Sequence, residues 1–185
     1  MKKYLILLLL FSEMTMSQSA VPRSVGKKIL DDIQYESAIA KDQVHIVDFK
    51  FPDFDKMPER ELYSTPTMLS YTDRGVLCRA YNMHKLTDNT ELEIIVRFSP
   101  DGNKILREMF EAKTDTPGPS PLYSKTKEQI GTVAIVMGSD EVGGQDLVWV
   151  YGNVYARVEN RDVSRIDTYA IARWLQGEFE KQYRP

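Results

Sequence analysis

Side chains that could carry acid–base, nucleophilic or metal chemistry are few and scattered in this chain of 185 residues. The two histidines, His45 and His84, lie far apart in sequence and fall in separate predicted strands. Zinc sites need about four His, Cys or carboxylate ligands, so we predict no bound metal, and no motif indicates a cofactor. The single cysteine, Cys78, lies in an apolar run typical of a strand, which predicts a buried and unreactive thiol.

Paired carboxylates are the remaining candidates for catalysis. Glu91 with Glu93, and Glu108 with Glu111, each offer two acids close in sequence, and glycoside hydrolysis uses two carboxylates. No spacing distinguishes these pairs from other acids in the chain. The Gly-x-Ser-x-Gly elbow and the phosphate-binding loop do not occur in the sequence. The sequence therefore favours a non-enzymatic protein and keeps a hydrolase with paired carboxylates as the alternative.

The N-terminus has the composition of a secretory signal peptide. Lys2 and Lys3 provide a positive start, residues 4–11 form an apolar run, and small or polar residues continue to Ala20. This order of three regions is what the export machinery recognises and cleaves. We therefore predict that the protein functions outside the cytoplasm.

The apolar run is too short to remain as an anchor. A helix needs about 20 apolar residues to cross a bilayer, and this run has roughly half of that. We predict cleavage after Ser19, with a second site marked by Thr15 and Ser17 as the alternative. Cleavage after Ser19 makes residues 1–19 a signal peptide and residues 20–185 a single domain. The mature chain is expected to have no transmembrane anchor.

Composition narrows the compartment and the partners. One cysteine permits no internal disulfide, and no Asn-x-Ser/Thr site for glycosylation is present. With the Lys-Lys start, these features favour a bacterial periplasmic or secreted protein. The net charge of −3 comes with no cluster of positive residues, so we predict no binding to nucleic acid.

Hydrophobic periodicity predicts an α+β domain, with an antiparallel sheet of six or seven strands and an N-terminal and a C-terminal helix packed on it. The C-terminal helix has a capping-box-like start at Ser164 and Asp167. In chain order, the predicted elements before residue 147 are a helix over 24–40, a strand over 43–51, a hairpin over 68–83, a hairpin with arms 91–98 and 104–112, and a strand over 131–137.

The segment 147–159 permits two interpretations. Gly152 and Asn153 could form a two-residue hairpin turn, or Gly152 could be a bend in one continuous strand. The continuous strand sorts small and β-branched residues onto one face and large amphipathic residues onto the other. We therefore favour the continuous strand, with its valine-rich face packed against the C-terminal helix.

The opposite face of that strand gives the predicted binding surface. Trp149, Tyr151, Tyr155 and Arg157 would form a flat amphipathic stripe, which suits protein interfaces and stacking on sugars or peptides. If the first helix or the following proline-rich loop covers the stripe, its residues belong to the core instead.

These observations together predict an exported, non-enzymatic binding or accessory protein of the cell envelope that acts through a sheet face. A protein or another envelope component is the expected partner. An immunity-type inhibitor of a toxin fits the same small, acidic, exported chain, and a structural protein that forms oligomers would show a self-complementary patch. The sequence does not specify the oligomeric state.

Overall fold

The structure, a computed structural model, describes residue 31 and residues 34–42, 44–105, 122–139, 144–160 and 166–185. Seven strands, each antiparallel to its neighbours, form one sheet in the order β1-β2-β3-β7-β6-β5-β4. The predicted α+β class and antiparallel sheet are confirmed. The strands are Thr67–Asp73 (β1), Val76–His84 (β2), Glu91–Phe98 (β3), Leu122–Lys125 (β4), Val133–Ser139 (β5), Gly144–Tyr151 (β6) and Val154–Asn160 (β7).

Two α-helices longer than one turn accompany the sheet within the described ranges, α1 over Tyr35–Lys41 and α2 over Thr168–Glu180. The remainder of the predicted first helix lies outside the described residues, as do the predicted signal peptide and its cleavage site, so these stay predictions. No described helix has the length and apolar character that a membrane span requires.

The start of α2 differs from the predicted capping box. Asp167 is itself the N-cap, and its carboxylate accepts the backbone N–H of Ala170 at 3.0 Å. The side chain of an N-cap residue satisfies a backbone donor that has no partner within the helix. The predicted helix in this region is confirmed, while Ser164 lies outside the described residues.

One face of the sheet packs against α2 and an aromatic cluster. Phe179 of α2 is fully buried, and its ring centroid lies 6.5 Å from that of Trp149 on β6. Trp174 of α2 meets Phe54 edge to face at 5.2 Å, and Phe54 in turn stacks on Tyr81 of β2. Buried aromatic pairs of this kind add stabilisation beyond their area. Helix and sheet thus share one continuous core.

The second face of the sheet is also covered over its centre. Tyr35 of α1 is buried in a cluster with Ile135 of β5, Val148 of β6 and Tyr155 of β7. Ile105, which follows the helical turn Gly102–Lys104, belongs to the same cluster. The sheet therefore has apolar side chains buried on both faces.

Residues 44–51, which we call the strap, do not form the strand predicted over 43–51. None of the described strap residues belongs to a ladder of the sheet. Side-chain amides pair with its backbone instead: Asn153 binds both the N–H and the C=O of Ile46, each at 2.8 Å. Gln182 binds the N–H of Lys50 at 2.7 Å and its C=O at 2.8 Å. The period-two pattern did not predict this course, in which the strap bends at residues 47 and 48, with Ile46 buried and Val47 exposed.

The side chain of Asn153 joins three parts of the chain. In addition to Ile46 of the strap, its amide nitrogen donates to the carbonyl of Ser99 at 2.9 Å. Asn153 is completely buried, and a buried amide without partners is costly. The turn after β3, the strap and the turn between β6 and β7 are thereby fixed to one another.

The preferred interpretation of 147–159 as one continuous strand is wrong. β6 and β7 form a hairpin that pairs Tyr151 with Val154 and turns at Gly152 and Asn153. Gly152 has φ of 56°, and a Cβ there would overlap the carbonyl oxygen of Val44. Glycine provides both the positive φ and the close approach of the strap. The predicted valine face is split, because Val148 points to the α1 side of the sheet.

The predicted hairpin with arms 91–98 and 104–112 is also wrong. β3 covers its first arm, but β3 pairs with β2 on one edge and with β7 on the other. The turn after β3 continues into the helical turn Gly102–Lys104, and residues 106–112 lie outside the described ranges. The turn residues after β3 indicated a local hairpin, but they contain no information about the pairing of β3 with β7.

The hairpin predicted over 68–83 is confirmed as β1 and β2. Its two central turn residues, Arg74 and Gly75, have φ of 47° and 82°. Positive φ at both positions is the requirement of the hairpin turn whose twist matches that of the strands. The amine of Lys104 donates to the carbonyl of Arg74 at 2.7 Å, which supports the turn from outside.

Alanine substitutions at Gly152 and Gly177 are expected to have opposite effects on the free energy of unfolding. We expect Gly152→Ala to lower the free energy of unfolding by about 3 kcal/mol, because alanine resists positive φ and overlaps the strap. Gly177→Ala in α2 should raise it by roughly 0.5–1 kcal/mol, because a Cβ there meets nothing within 4 Å. Urea denaturation measures both. Equal effects of the two substitutions would contradict the close packing of strap and turn.

Candidate functional site

The four residues of the predicted stripe do not form one surface. Trp149 and Tyr151 lie on the α2 side of the sheet, while Tyr155 and Arg157 lie on the α1 side, because β6 and β7 are separate strands of a hairpin. Trp149 and Tyr155 are buried in the two cores. A binding role stays a prediction for the two partly exposed members, Tyr151 and Arg157.

The buried members of the stripe have structural surroundings. Gly131 lies so close to Trp149 that a Cβ would come within 2.8 Å of the indole ring. No acceptor among the described residues pairs with the indole N–H. Burial raises the pKa of Tyr155, and the guanidinium of Arg97 lies 5.9 Å from the centre of its ring. These residues maintain the core of the hairpin.

The edge of the sheet at β1 is an exposed surface that the sequence did not predict. All seven residues of β1 are exposed, although the strand is part of a continuous ladder with β2. The exposed fractions of its large apolar residues are 55% for Met68, 59% for Leu69 and 42% for Tyr71, and Leu77 of β2 adds 39%. Exposed apolar clusters commonly mark interaction surfaces.

Backbone groups of β1 also point away from the sheet. The two-residue turn makes Asp73 and Val76 a hydrogen-bonded pair. Such pairs alternate along an antiparallel ladder, so Met68, Ser70 and Thr72 direct their N–H and C=O groups to the outer edge. A second extended chain could hydrogen-bond to these three residues without disturbing β2.

Side chains of β1 divide between the two faces. Leu69 and Tyr71 lie on the α1 side, where Tyr71 is opposite the buried Cys78. A hydrogen bond with the Cys78 side chain raises the pKa of Tyr71, so its hydroxyl is protonated at neutral pH. Met68 and Leu77 lie on the α2 side, at opposite ends of the ladder, because Met68 is opposite Tyr81 and Leu77 is opposite Thr72.

Residues that normally protect an edge strand do not occur within β1. Proteins block exposed edges with lysines, prolines, bulges or inward charges. The strand Thr67–Asp73 contains one charged residue, Asp73 at its end, and Pro66 precedes its first residue. Its register with β2 is unbroken from Thr67 to Asp73. The edge is therefore open to strand addition.

A concave surface lies where β2 ends and β3 begins. It is a groove of about 320 Å³ whose polar lining includes Asn82, His84, Glu91, Glu93 and Glu159. The carboxylate pair Glu91 and Glu93 named from sequence is thus found in one groove. Glu93 and Glu159 lie directly opposite each other on paired strands. Like charges in this position repel each other and destabilise the strand pair.

Arg157 compensates the acids beside this groove. Its guanidinium lies 2.7 Å from Asp146 and 3.7 Å from Glu93, and it contacts Glu159 as well. Burial lowers the pKa of Arg157, but the carboxylates of Asp146 and Glu159 outweigh this effect and raise the pKa above its ordinary value. The arginine named as a binding residue therefore has a clear role in neutralising carboxylates.

Within the described ranges, no three His, Cys, Asp or Glu side chains come together as a metal site would require. Comparison with known proteins identifies no relative: no family, no curated protein and no solved structure matches the chain. Function must therefore be inferred from the surfaces of the molecule.

The exposed edge was missed in the sequence because strand order is not a local property. Residues 68–71 predict a hairpin arm, but nothing in them shows that no further strand pairs with β1 in the described sheet. One signal was present: the arm lacks a clean alternation of apolar and polar residues, which a strand with one buried face would show.

Removal of Arg157 should expose the repulsion among its carboxylates. We expect Arg157→Met to lower the free energy of unfolding by about 2–3 kcal/mol, because partly buried acids lose their counterion. Adding Glu159→Gln to the same chain should restore about 1 kcal/mol. Urea denaturation gives both values.

Arg173→Met provides the matched control. Arg173 pairs with Glu128 at 2.5 Å, but both side chains are more exposed, so its loss should cost less than about 1 kcal/mol. If the two arginine substitutions cost the same, Arg157 does not hold its cluster together.

Proposed function

We propose that this chain is an exported, non-enzymatic binding or accessory protein of the cell envelope, and that it binds an extended segment of a partner protein along β1. One observation supports this proposal above the others: β1 is an unprotected, apolar edge strand exposed along its whole length. The binding surface is then the edge of the sheet, not the face named from sequence.

Strand addition fits the groups available on this edge. Main-chain hydrogen bonds provide affinity in this mode, and side chains at alternate positions provide specificity. Met68, Ser70 and Thr72 offer the main-chain groups, while Leu69 and Tyr71 offer apolar contacts on one face. The partner segment should therefore be extended and should carry apolar side chains at alternate positions.

Export is supported by the N-terminal sequence alone. The positive start, the short apolar run and the small residues before Ala20 favour a periplasmic or secreted protein of a bacterium. A toxin inhibitor of the immunity type is one form of the same proposal, because such a protein would also act by binding a partner protein.

The groove with Glu91, Glu93 and Glu159 favours a second candidate function, that of an exported hydrolase. Two carboxylates beside a concave surface suit glycoside hydrolysis. Their association with Arg157, which neutralises Glu93 and Glu159, suits a structural cluster better. Turnover of a glycan substrate that Glu93→Gln abolishes in a stably folded protein would establish the hydrolase instead.

Binding through β1 is tested with a displayed library of short peptides, selected on the full chain. We expect selected peptides to bind wild-type protein and to lose at least about tenfold in affinity, roughly 1.4 kcal/mol, on Ser70→Pro. Proline removes the outward N–H and blocks the incoming strand, while the bonds between β1 and β2 stay intact. Fluorescence anisotropy measures the affinities.

Ser70→Ala is the control, because it shortens the side chain at the same position and keeps the backbone N–H. It should bind selected peptides within about twofold of wild type. Peptides that bind wild type and Ser70→Pro equally well would show that binding does not use this edge.

Export has its own test. We expect the protein expressed with its native N-terminus in a bacterial host to be recovered outside the cytoplasm, with N-terminal sequencing giving Ala20 as the first residue. The change Leu7→Arg, which interrupts the apolar run, should leave the intact chain in the cytoplasm. Wild-type protein that keeps Met1 would contradict the proposed export.

A further inference from the structure

We infer that β1 also pairs with β1 of a second copy of this chain, antiparallel and with Ser70 on the two-fold axis. The weak dimer that results covers the binding edge of each copy. This inference rests on the same edge as the proposed function, but it concerns the protein without its partner.

Backbone geometry fits a symmetric pairing about Ser70. Met68, Ser70 and Thr72 are the residues whose N–H and C=O groups point outward. With Ser70 opposite Ser70 of the second copy, Met68 lies opposite Thr72 in both halves of the interface. Every outward group then meets an outward group, as an antiparallel ladder requires. The two seven-stranded sheets join into one.

Side chains on the α1 side of the sheet are complementary in this register. Leu69 of each copy lies opposite Tyr71 of the other, in the non-hydrogen-bonded pairs that bring side chains closest. Both residues are exposed in the single chain, by 59% and 42%. Pairing thus buries four large apolar side chains in one cluster.

Charges do not oppose this pairing. The only charged residue of β1, Asp73, lies opposite the neutral Thr67 of the second copy. The nearest cation on the α2 side, Arg79, is opposite Ser70 on β2 and lies over the ring of Phe51. Two Arg79 residues would be three strand spacings apart, roughly 14 Å, which exceeds the screening length of about 8 Å at physiological salt.

Neighbouring registers are less favourable. Moving the two-fold axis to Leu69 would place Pro66 opposite Thr72, and a proline cannot donate to the ladder. Moving it to Tyr71 would place Leu69 opposite Asp73 and so bury a charge against an apolar side chain. The register about Ser70 alone uses all seven residues of β1 without either cost.

The area of contact makes this dimer weak. Two seven-residue edges bury less than the roughly 1,200 Å² of the smallest stable complexes. We expect monomers at about 10 μM and a substantial fraction of dimers near 1 mM. A partner segment competes with the second copy for the same backbone groups. A high concentration of the protein would therefore reduce binding of the partner segment.

Sedimentation equilibrium of the full chain, purified as the cell produces it, tests the dimer over this concentration range. Leu69→Glu and Tyr71→Lys are made separately. In a dimer of either variant, two like charges lie diagonally at about 7–8 Å across the pair. We expect each variant alone to associate at least about tenfold more weakly than wild type.

An equimolar mixture of the two variants identifies the register. In the mixed dimer, the introduced glutamate lies directly opposite the introduced lysine, while the other pair keeps the native Tyr71 and Leu69. We expect the mixture to associate more strongly than either variant alone by about tenfold. Circular dichroism and thermal unfolding of each variant show whether it is folded, and a single charge at an exposed position should leave the fold intact.

Two results would overturn the inference: wild-type protein that stays monomeric at 1 mM, or a mixture that associates no better than its components. Peptide binding measured at 10 μM, where wild type is monomeric, decides the proposed function separately. Wild-type protein that binds the selected peptides through β1 but stays monomeric at 1 mM would reject the dimer and leave the proposed function standing.

Discussion

The side-chain amide of Asn153 fixes the strap, which belongs to no strand ladder, to the adjoining ends of β3 and β7. It pairs with both backbone groups of Ile46 and with the carbonyl of Ser99, and Ser99 returns its N–H to the carbonyl of Asn153 at 3.3 Å. A buried amide that satisfies several backbone groups is strongly coupled to its surroundings. The strap is held in place because the side chain of Asn153 supplies hydrogen bonds that a neighbouring strand would otherwise provide.

Coverage of both sheet faces determines where a function can be located. Phe49 of the strap stacks on Phe98 at 4.9 Å, and α2 continues this layer over β6 and β7. On the other side, Tyr35 and Ile105 fill the centre. With the centre of both faces occupied, the edge at β1 and the acidic groove beside Arg157 are two accessible features among the described residues. Binding at an edge requires no rearrangement of the core.

Sequence patterns predicted the elements that are determined by interactions within a few residues. They failed where the arrangement depends on contacts between residues distant in sequence. The β1–β2 hairpin and α2 followed from turn chemistry and helical periodicity, which act within a few residues. The split of Trp149 and Tyr155 onto opposite faces depends on the two-residue turn at Gly152, where glycine permits the positive φ and leaves room for Val44 of the strap. The strap looked like a strand because its sequence alternates, but the residues that face the core change from Ile46 to Phe49 across a bend at residues 47 and 48. The side chains of Asn153 and Gln182 supply its backbone partners. Exposure of β1 depends on the order of the strands in the sheet, which no short stretch of sequence determines.

Pairing of β3 with β7 has a consequence for how the chain is assembled. This seam joins the first three strands to the last four, and it pairs Phe98 with Val154 and Leu92 with Asn160. Contacts between such distant residues slow folding, because the loop between them must close first. Until β7 is available, β3 presents an apolar edge that can pair wrongly with other nascent chains. Binding of a chaperone to β3 until β7 is available would therefore protect the chain from misassembly.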